Sequence, residues 1–240
     1  MNSKVAKSLK SKPLFTILGI SALVFLLWQL PYFGFIQYPF LLLGTWFHEM
    51  GHGLTAVLLG GKFYYLEIYE NGGGVAYSDV SLSYLNTNLA RAMTAAGGLL
   101  GPAISGAILI TSAKKKVTSK VTLWLLIIVM VVSLLLWIQE LLALVVLSVF
   151  AAILFGIAIL KIRRLEIFTL LFLGTQCVLS TYLQIGYLFT KQFERDGNIQ
   201  YSDTQMIAVH LFGTYWMWAI LILILTIILV YKSYRYYLKK

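Results

Sequence analysis

Residues 41–60 read LLLGTWFHEMGHGLTAVLLG, an apolar stretch that contains His48, Glu49 and His52. The two histidines are four residues apart, so on an α-helix they share a face, with Glu49 beside them. In this HExxH spacing two neutral imidazoles bind zinc, while the glutamate takes a proton from a water molecule and passes it to a leaving amine. The stretch therefore predicts a helix that carries a zinc site.

The alternative is that these side chains pack or hydrogen-bond without a metal, because a short pattern with two free positions also arises by chance. A membrane context argues against this alternative. An ionisable side chain at bilayer depth costs about 2–3 kcal/mol, so three of them together need a partner or a function. A bound dication supplies both, and we expect one Zn²⁺ per chain, with His48 and His52 as metal ligands and Glu49 as the catalytic base.

The composition places this helix in a membrane protein. Of the 240 residues, 60% are hydrophobic and 12% are charged, and several apolar runs match the roughly 20 residues that cross a bilayer. The formal charge of +10 does not indicate nucleic acid, because most lysines and arginines flank apolar runs, where they orient a protein in the lipid bilayer. The single cysteine, Cys177, excludes an internal disulfide.

The apolar runs predict an all-α polytopic membrane protein, with about six or seven apolar helices, one of them broken or re-entrant. We expect a single domain over residues 1–240. A break over Pro31–Pro39 separates an uncleaved first span from the motif helix. The predicted helical segments are 14–30, the motif helix up to Gly60, 89–113, 121–138, 141–159, 167–189 and a last run that begins at Asp203 and continues to Val230. Gln139 and Glu140 either divide two spans or interrupt one helix.

Residues 95–107, AAGGLLGPAISGA, are rich in glycine and alanine. Small residues let helices approach closely, so we expect this helix to pack against the motif helix. Pro102 is a candidate for a kink or a break in it.

Residues 62–80, KFYYLEIYENGGGVAYSDV, predict a small β-hairpin inserted after the metal-binding helix. The run 63–69 is aromatic and β-branched, 71–73 supplies the turn, and 75–80 returns antiparallel. The hairpin is either a site that captures an extended peptide by strand addition or an ordinary extramembrane hairpin.

The basic clusters set a constraint on topology. If the amino-terminus, Lys114–Lys116, 161–164 and the tail are all cytoplasmic, each pair must be separated by an even number of crossings. Three apolar segments precede Lys114, which is an odd number. Either at least one of these segments does not cross the bilayer completely, or one basic cluster lies on the side away from the cytoplasm. The motif helix and segment 89–113 are the candidates, since broken backbone is tolerated where it lines a polar cavity.

A catalytic zinc needs a third protein ligand and an open position. We set aside the carboxylates of the hairpin, of the span boundaries and of the charged loop. The remaining candidates are Asp203, Asp196 and His210. Asp203 begins a helix directly after Ser202, which is a natural helix cap. The alternative to a ligand role is that the Asp203 carboxylate stabilises the first turn of this helix without a metal. Asp196 is most simply a turn residue, and packing is favoured for His210.

The chain resembles the site-2-protease family of intramembrane zinc metallopeptidases, in its compact B-like bacterial branch. The resemblance covers most of residues 40–220 and is carried by FHEMGHGLTAVLLGGKFYYLEIYENGGGVAYS, AAGGLLGPAISGA, GTQCVLSTY and SDTQMIA, the last of which is similar to a Ser-Asp-Ala motif. It implies that His48, His52 and Asp203 bind the metal and that Glu49 is the base. In better-studied members the third ligand lies in an Asn-x-x-Pro, Asp-Gly block, and the Asp-Gly of this chain, at 196–197, lacks that proline context.

These features predict a zinc endopeptidase that cleaves a membrane protein or peptide substrate in or near a membrane-spanning segment. The alternative is a non-proteolytic scaffold or transporter that holds a metal or another ion in the same position. The resemblance and the small size imply a bacterial plasma membrane. Nothing in the sequence names the substrate or the oligomeric state.

Overall fold

The computed structural model describes residues 3–29, 34–183, 185–195 and 197–239. These residues form nine α-helices and two β-hairpins. The helices are α1 (Ser3–Gln29), α2 (Gly34–Leu58), α3 (Thr87–Ser112), α4 (Lys116–Leu136), α5 (Leu141–Leu160), α6 (Arg163–Leu183), α7 (Ile185–Leu188), α8 (Asp203–His210) and α9 (Tyr215–Leu238). The strands are β1 (Lys62–Ile68), β2 (Gly74–Asp79), β3 (Gln192–Arg195) and β4 (Asn198–Tyr201).

The helices confirm the predicted all-α membrane fold. Four helices of the described part, α3, α4, α5 and α9, are long and apolar enough to cross a bilayer. A shorter apolar stretch, Phe15–Leu26, lies in α1. Gln139 and Glu140 separate two helices rather than interrupt one, because α4 ends at Leu136 and α5 begins at Leu141. The number of crossings and the orientation of the basic clusters stay predictions.

The prolines do not break the helices in which they lie. The predicted break over 31–39 is wrong for its described part, since α2 begins at Gly34 and contains Pro39; residues 31–33 lie outside the described residues. Pro39 is the sixth residue of α2, so it removes one backbone hydrogen bond near the start of the helix without ending it. Helix α3 continues through Pro102 from Thr87 to Ser112, so no break occurs there either.

The last predicted helix is broken instead. Helix α8 ends at His210, and α9 begins only at Tyr215. Gly213 between them has a φ of 80°, a left-handed conformation that an α-helix does not contain. The predicted span 167–189 is helical in its described residues up to Leu188, in α6 and α7; residue 184 between these two helices lies outside the described residues. Asp203 therefore opens a short helix of eight residues rather than the terminal span.

Helices α2 and α3 pack against each other through glycines, as predicted. A Cβ added to Gly101 would lie 2.8 Å from the Phe47 carbonyl oxygen and 3.1 Å from the Gly51 Cα. A Cβ added to Gly51 would overlap the Gly97 carbonyl oxygen. Because real side chains do not tolerate such distances, the two backbones can approach this closely only where both helices carry glycine.

The predicted hairpin is confirmed, with β1 and β2 antiparallel and Ile68 opposite Gly74. Its β1 edge rests on the loop between α4 and α5, where the Leu66 amide donates to the Trp137 carbonyl at 2.8 Å. The other edge belongs to β2, which has no further strand partner among the described residues. A second antiparallel hairpin, β3–β4, follows α7 between the predicted segments 167–189 and the run from Asp203, where no strand was predicted.

Candidate metal centre

Helix α2 brings His48, Glu49 and His52 together in the protein interior. The Nε2 atoms of the two histidines are 3.1 Å apart, because residues four apart on a helix stand one above the other. His48 is 7% exposed and Glu49 is 4% exposed. Side chains of this kind, buried in an apolar bundle, need partners of comparable polarity.

Asp203 supplies such a partner from the other end of the chain. Its Oδ2 lies 3.1 Å from His48 Nε2 and its Oδ1 lies 3.4 Å from His52 Nε2. Asp203 is the first residue of α8, and Ser202 caps that helix by accepting a hydrogen bond from the Gln205 amide at 3.3 Å. The predicted cap is therefore present.

The three side chains fit a zinc ion. One ligand atom from each of His48, His52 and Asp203 lies within 4.8 Å of the others. Ligands about 2.0 Å from a tetrahedral zinc are about 3.3 Å from one another, close to the separations found here. Two imidazoles and one carboxylate are also a donor set that catalytic zinc uses, with the fourth position left open.

The orientation of His52 is set by α3. Its Nδ1 lies 2.8 Å from the Thr94 carbonyl oxygen, and since a carbonyl only accepts, Nδ1 carries the proton. The lone pair of Nε2 is then directed toward His48 and Asp203, as a metal ligand requires. The ring lies against Gly98, where an added Cβ would overlap its atoms.

Glu49 lies between two cavities that meet at the candidate metal centre. The first cavity, of about 720 Å³, lies between α2 and the turn of the first hairpin, where Thr45 and Gly73 form part of its wall. The second, of about 490 Å³, extends along β2 toward α3 and α8. Six residues line both cavities: His48, Glu49, Gly74, Tyr187, Phe193 and Arg195.

Gly74 and the second hairpin were missed as site components by the sequence analysis. A Cβ at Gly74 would lie 2.8 Å from Glu49 Oε1, so a larger residue would displace that carboxylate. Arg195 of β3 donates to the Gly74 carbonyl at 3.0 Å, and its guanidinium lies 5.1 Å from the centre of the Tyr69 ring. The Asp-Gly at 196–197 is the sequence signal that could have predicted the second hairpin.

His210, another candidate for the third ligand, does not join this group. His210, at the far end of α8, pairs through Nδ1 with Asn88 Oδ1 at 3.2 Å. Partial burial, together with the positive charge of Arg91, lowers the pKa of His210 below its usual value. Asp196 lies outside the described residues. Cys177 is buried on α6 and is not part of the group.

We predict that Gly98→Ala lowers zinc affinity by about tenfold or more, because the new methyl group displaces the His52 ring. The measurement is zinc competition against a chromophoric chelator with detergent-purified protein. Gly156→Ala is the matched control, since nothing lies within 4 Å of a Cβ at that position in α5. Equal zinc affinities for Gly98→Ala, Gly156→Ala and the unaltered protein would show that His52 does not need this glycine.

Comparison with protein-family models gives a match to the family described as Peptidase M50B-like, over residues 16–233. No curated protein and no solved structure matches the chain.

Proposed function

The chain belongs to the peptidase M50B-like family, and from that premise we propose that it is a zinc endopeptidase that cleaves a protein substrate in or near a membrane-spanning segment. The family match confirms the resemblance to site-2 proteases. Four helices suited to a bilayer make the chain an integral membrane protein. The observation that carries the proposal is the convergence of His48, His52 and Asp203 beside the buried Glu49.

In this proposal His48, His52 and Asp203 hold one zinc ion per chain. Zinc, when bound, supplies a Lewis acid that polarises a carbonyl and makes water a nucleophile near neutral pH. Glu49 accepts the proton of the attacking water and delivers it to the leaving amine. Its position at the junction of the two cavities supports this role, because both water and a peptide can reach it there.

We infer that the substrate binds as an extended chain along β2. Residues Gly74, Val75 and Ala76 of this strand line the second cavity, next to Glu49. A strand edge without a partner offers backbone donors and acceptors to an incoming segment. A helical substrate must unwind first, because its internal hydrogen bonds keep the scissile amide from an extended pose. Arg195 holds the Gly74 carbonyl and would release it to the incoming segment.

The resemblance to the B-like bacterial branch further supports a bacterial plasma membrane as the location. The scaffold or transporter alternative shares the metal site but performs no cleavage. A measurement of peptide cleavage therefore distinguishes the endopeptidase from the scaffold or transporter, whereas a measurement of metal binding does not.

We predict that Glu49→Gln retains zinc and loses cleavage by about 10²–10⁴-fold, since the amide cannot accept the proton of the attacking water. The assay is incubation of the detergent-purified, zinc-loaded protein with a library of tagged single-span peptides, with products read by mass spectrometry. Glu140→Gln, a carboxylate at the start of α5 that lines neither cavity, is the matched control and should cleave normally.

Cleavage by Glu49→Gln at the rate of the unaltered protein would contradict the assigned role of this carboxylate. Zinc-loaded protein that cleaves no member of the library would instead favour the scaffold or transporter.

Strand addition predicts a periodic response to proline in a substrate. Paired strands use the amides of alternate residues, so proline at every second position near the scissile bond should lower kcat/KM by about tenfold or more. The best-cleaved library peptide would be scanned with proline, with alanine at the same positions as the control. A response without this alternation would exclude binding as a paired strand.

A further inference from the structure

Tyr187 contacts the candidate third ligand from outside the metal-binding group. Its hydroxyl oxygen lies 3.2 Å from Asp203 Oδ2 and 3.3 Å from the Asp203 backbone nitrogen. A carboxylate only accepts hydrogen bonds, so the phenol donates to Oδ2, and the Asp203 amide donates to the phenol. One hydroxyl therefore links the backbone of Asp203 to its own carboxylate.

We propose that Tyr187 is a positioning residue that orients the Asp203 carboxylate toward the metal. The inference rests on the proposed function, in which Asp203 is a zinc ligand. Metal-binding carboxylates are commonly held by a second hydrogen bond, and loss of that bond typically costs 10–100-fold in metal affinity. Among the described residues, Tyr187 is the only side chain other than the two histidines that is hydrogen-bonded to this carboxylate.

The backbone around Asp203 has separate supports. The Ser202 amide donates to the Lys191 carbonyl at 3.2 Å, and the Thr204 hydroxyl donates to the Leu188 carbonyl at 3.0 Å. These bonds fix the start of α8 but leave the carboxylate of Asp203 free to rotate about its side-chain bonds. Among the described residues, the Tyr187 hydroxyl is the one group hydrogen-bonded to this carboxylate that is not a candidate ligand. Its removal should therefore alter the metal site, while the bonds of Ser202 and Thr204 keep the helix in place.

The ring of Tyr187 keeps the hydroxyl in position. It packs edge-on against His48, with ring centres 6.3 Å apart, and lies 5.8 Å from the centre of the Phe193 ring. These contacts involve the ring and not the hydroxyl, so phenylalanine preserves them. Tyr187→Phe therefore separates the hydrogen bond from the packing.

The test measures metal binding and needs no substrate. Zinc affinity is determined by competition with a chromophoric chelator for the unaltered protein, Tyr187→Phe and Asp203→Ala. The absorption spectrum of the cobalt-loaded protein reports the ligand geometry independently of stability. Tyr69→Phe is the matched control, because Tyr69 lines the first cavity but donates to Glu67 at 2.7 Å rather than to a candidate ligand.

We expect Tyr187→Phe to weaken zinc binding by about 10–100-fold and to change the cobalt spectrum. Tyr69→Phe should do neither, and Asp203→Ala should lose high-affinity zinc. Unchanged affinity and spectrum in Tyr187→Phe, with zinc lost in Asp203→Ala, would overturn the role of Tyr187 and leave the proposed site intact. Equal weakening in Tyr69→Phe would also overturn it. Full zinc affinity in Asp203→Ala would remove the third ligand, and the role of Tyr187 with it.

Discussion

Ionisable side chains in an apolar bundle must be partnered, and this constraint shapes the rest of the structure. His48, Glu49 and His52 lie on α2, where the buried apolar side chains of Trp46, Phe47 and Met50 adjoin them. Each such group costs about 2–3 kcal/mol at bilayer depth if it stands alone. The chain meets this cost by bringing Asp203 of α8 against both histidines. The same three side chains are the zinc ligands that we propose.

Close helix packing makes that arrangement possible. Helix α3 approaches α2 through glycines, so the Thr94 carbonyl can hold one nitrogen of His52 while Gly98 leaves room for its ring. The two hairpins then enclose the other side of the centre. Gly74 lies against Glu49, and Arg195 joins the second hairpin to the first. Both hairpins thus border Glu49, the proposed base.

Much of this structure could be predicted from short-range patterns in the sequence. The motif helix, the first hairpin and the glycine-rich contact between α2 and α3 follow from spacing and residue size over short distances. The break between α8 and α9 was missed, because it depends on a left-handed Gly213 within an otherwise apolar run. The third ligand could not be fixed from residues alone. Asp203 is 155 positions from His48, and no periodicity relates the two, so its choice over Asp196 and His210 required the resemblance.

We propose that His48, His52 and Asp203 form one zinc site, and the zinc content of the protein reports on this site without a substrate. We would measure zinc per chain by atomic emission in the detergent-purified protein, beside Asp203→Ala and the control His210→Ala. We expect about one zinc per chain in the unaltered protein and in His210→Ala, and little in Asp203→Ala. Full zinc in Asp203→Ala, or its loss in His210→Ala, would contradict the assignment of the third ligand. An unaltered protein that takes up no zinc after reconstitution would contradict the metal site itself.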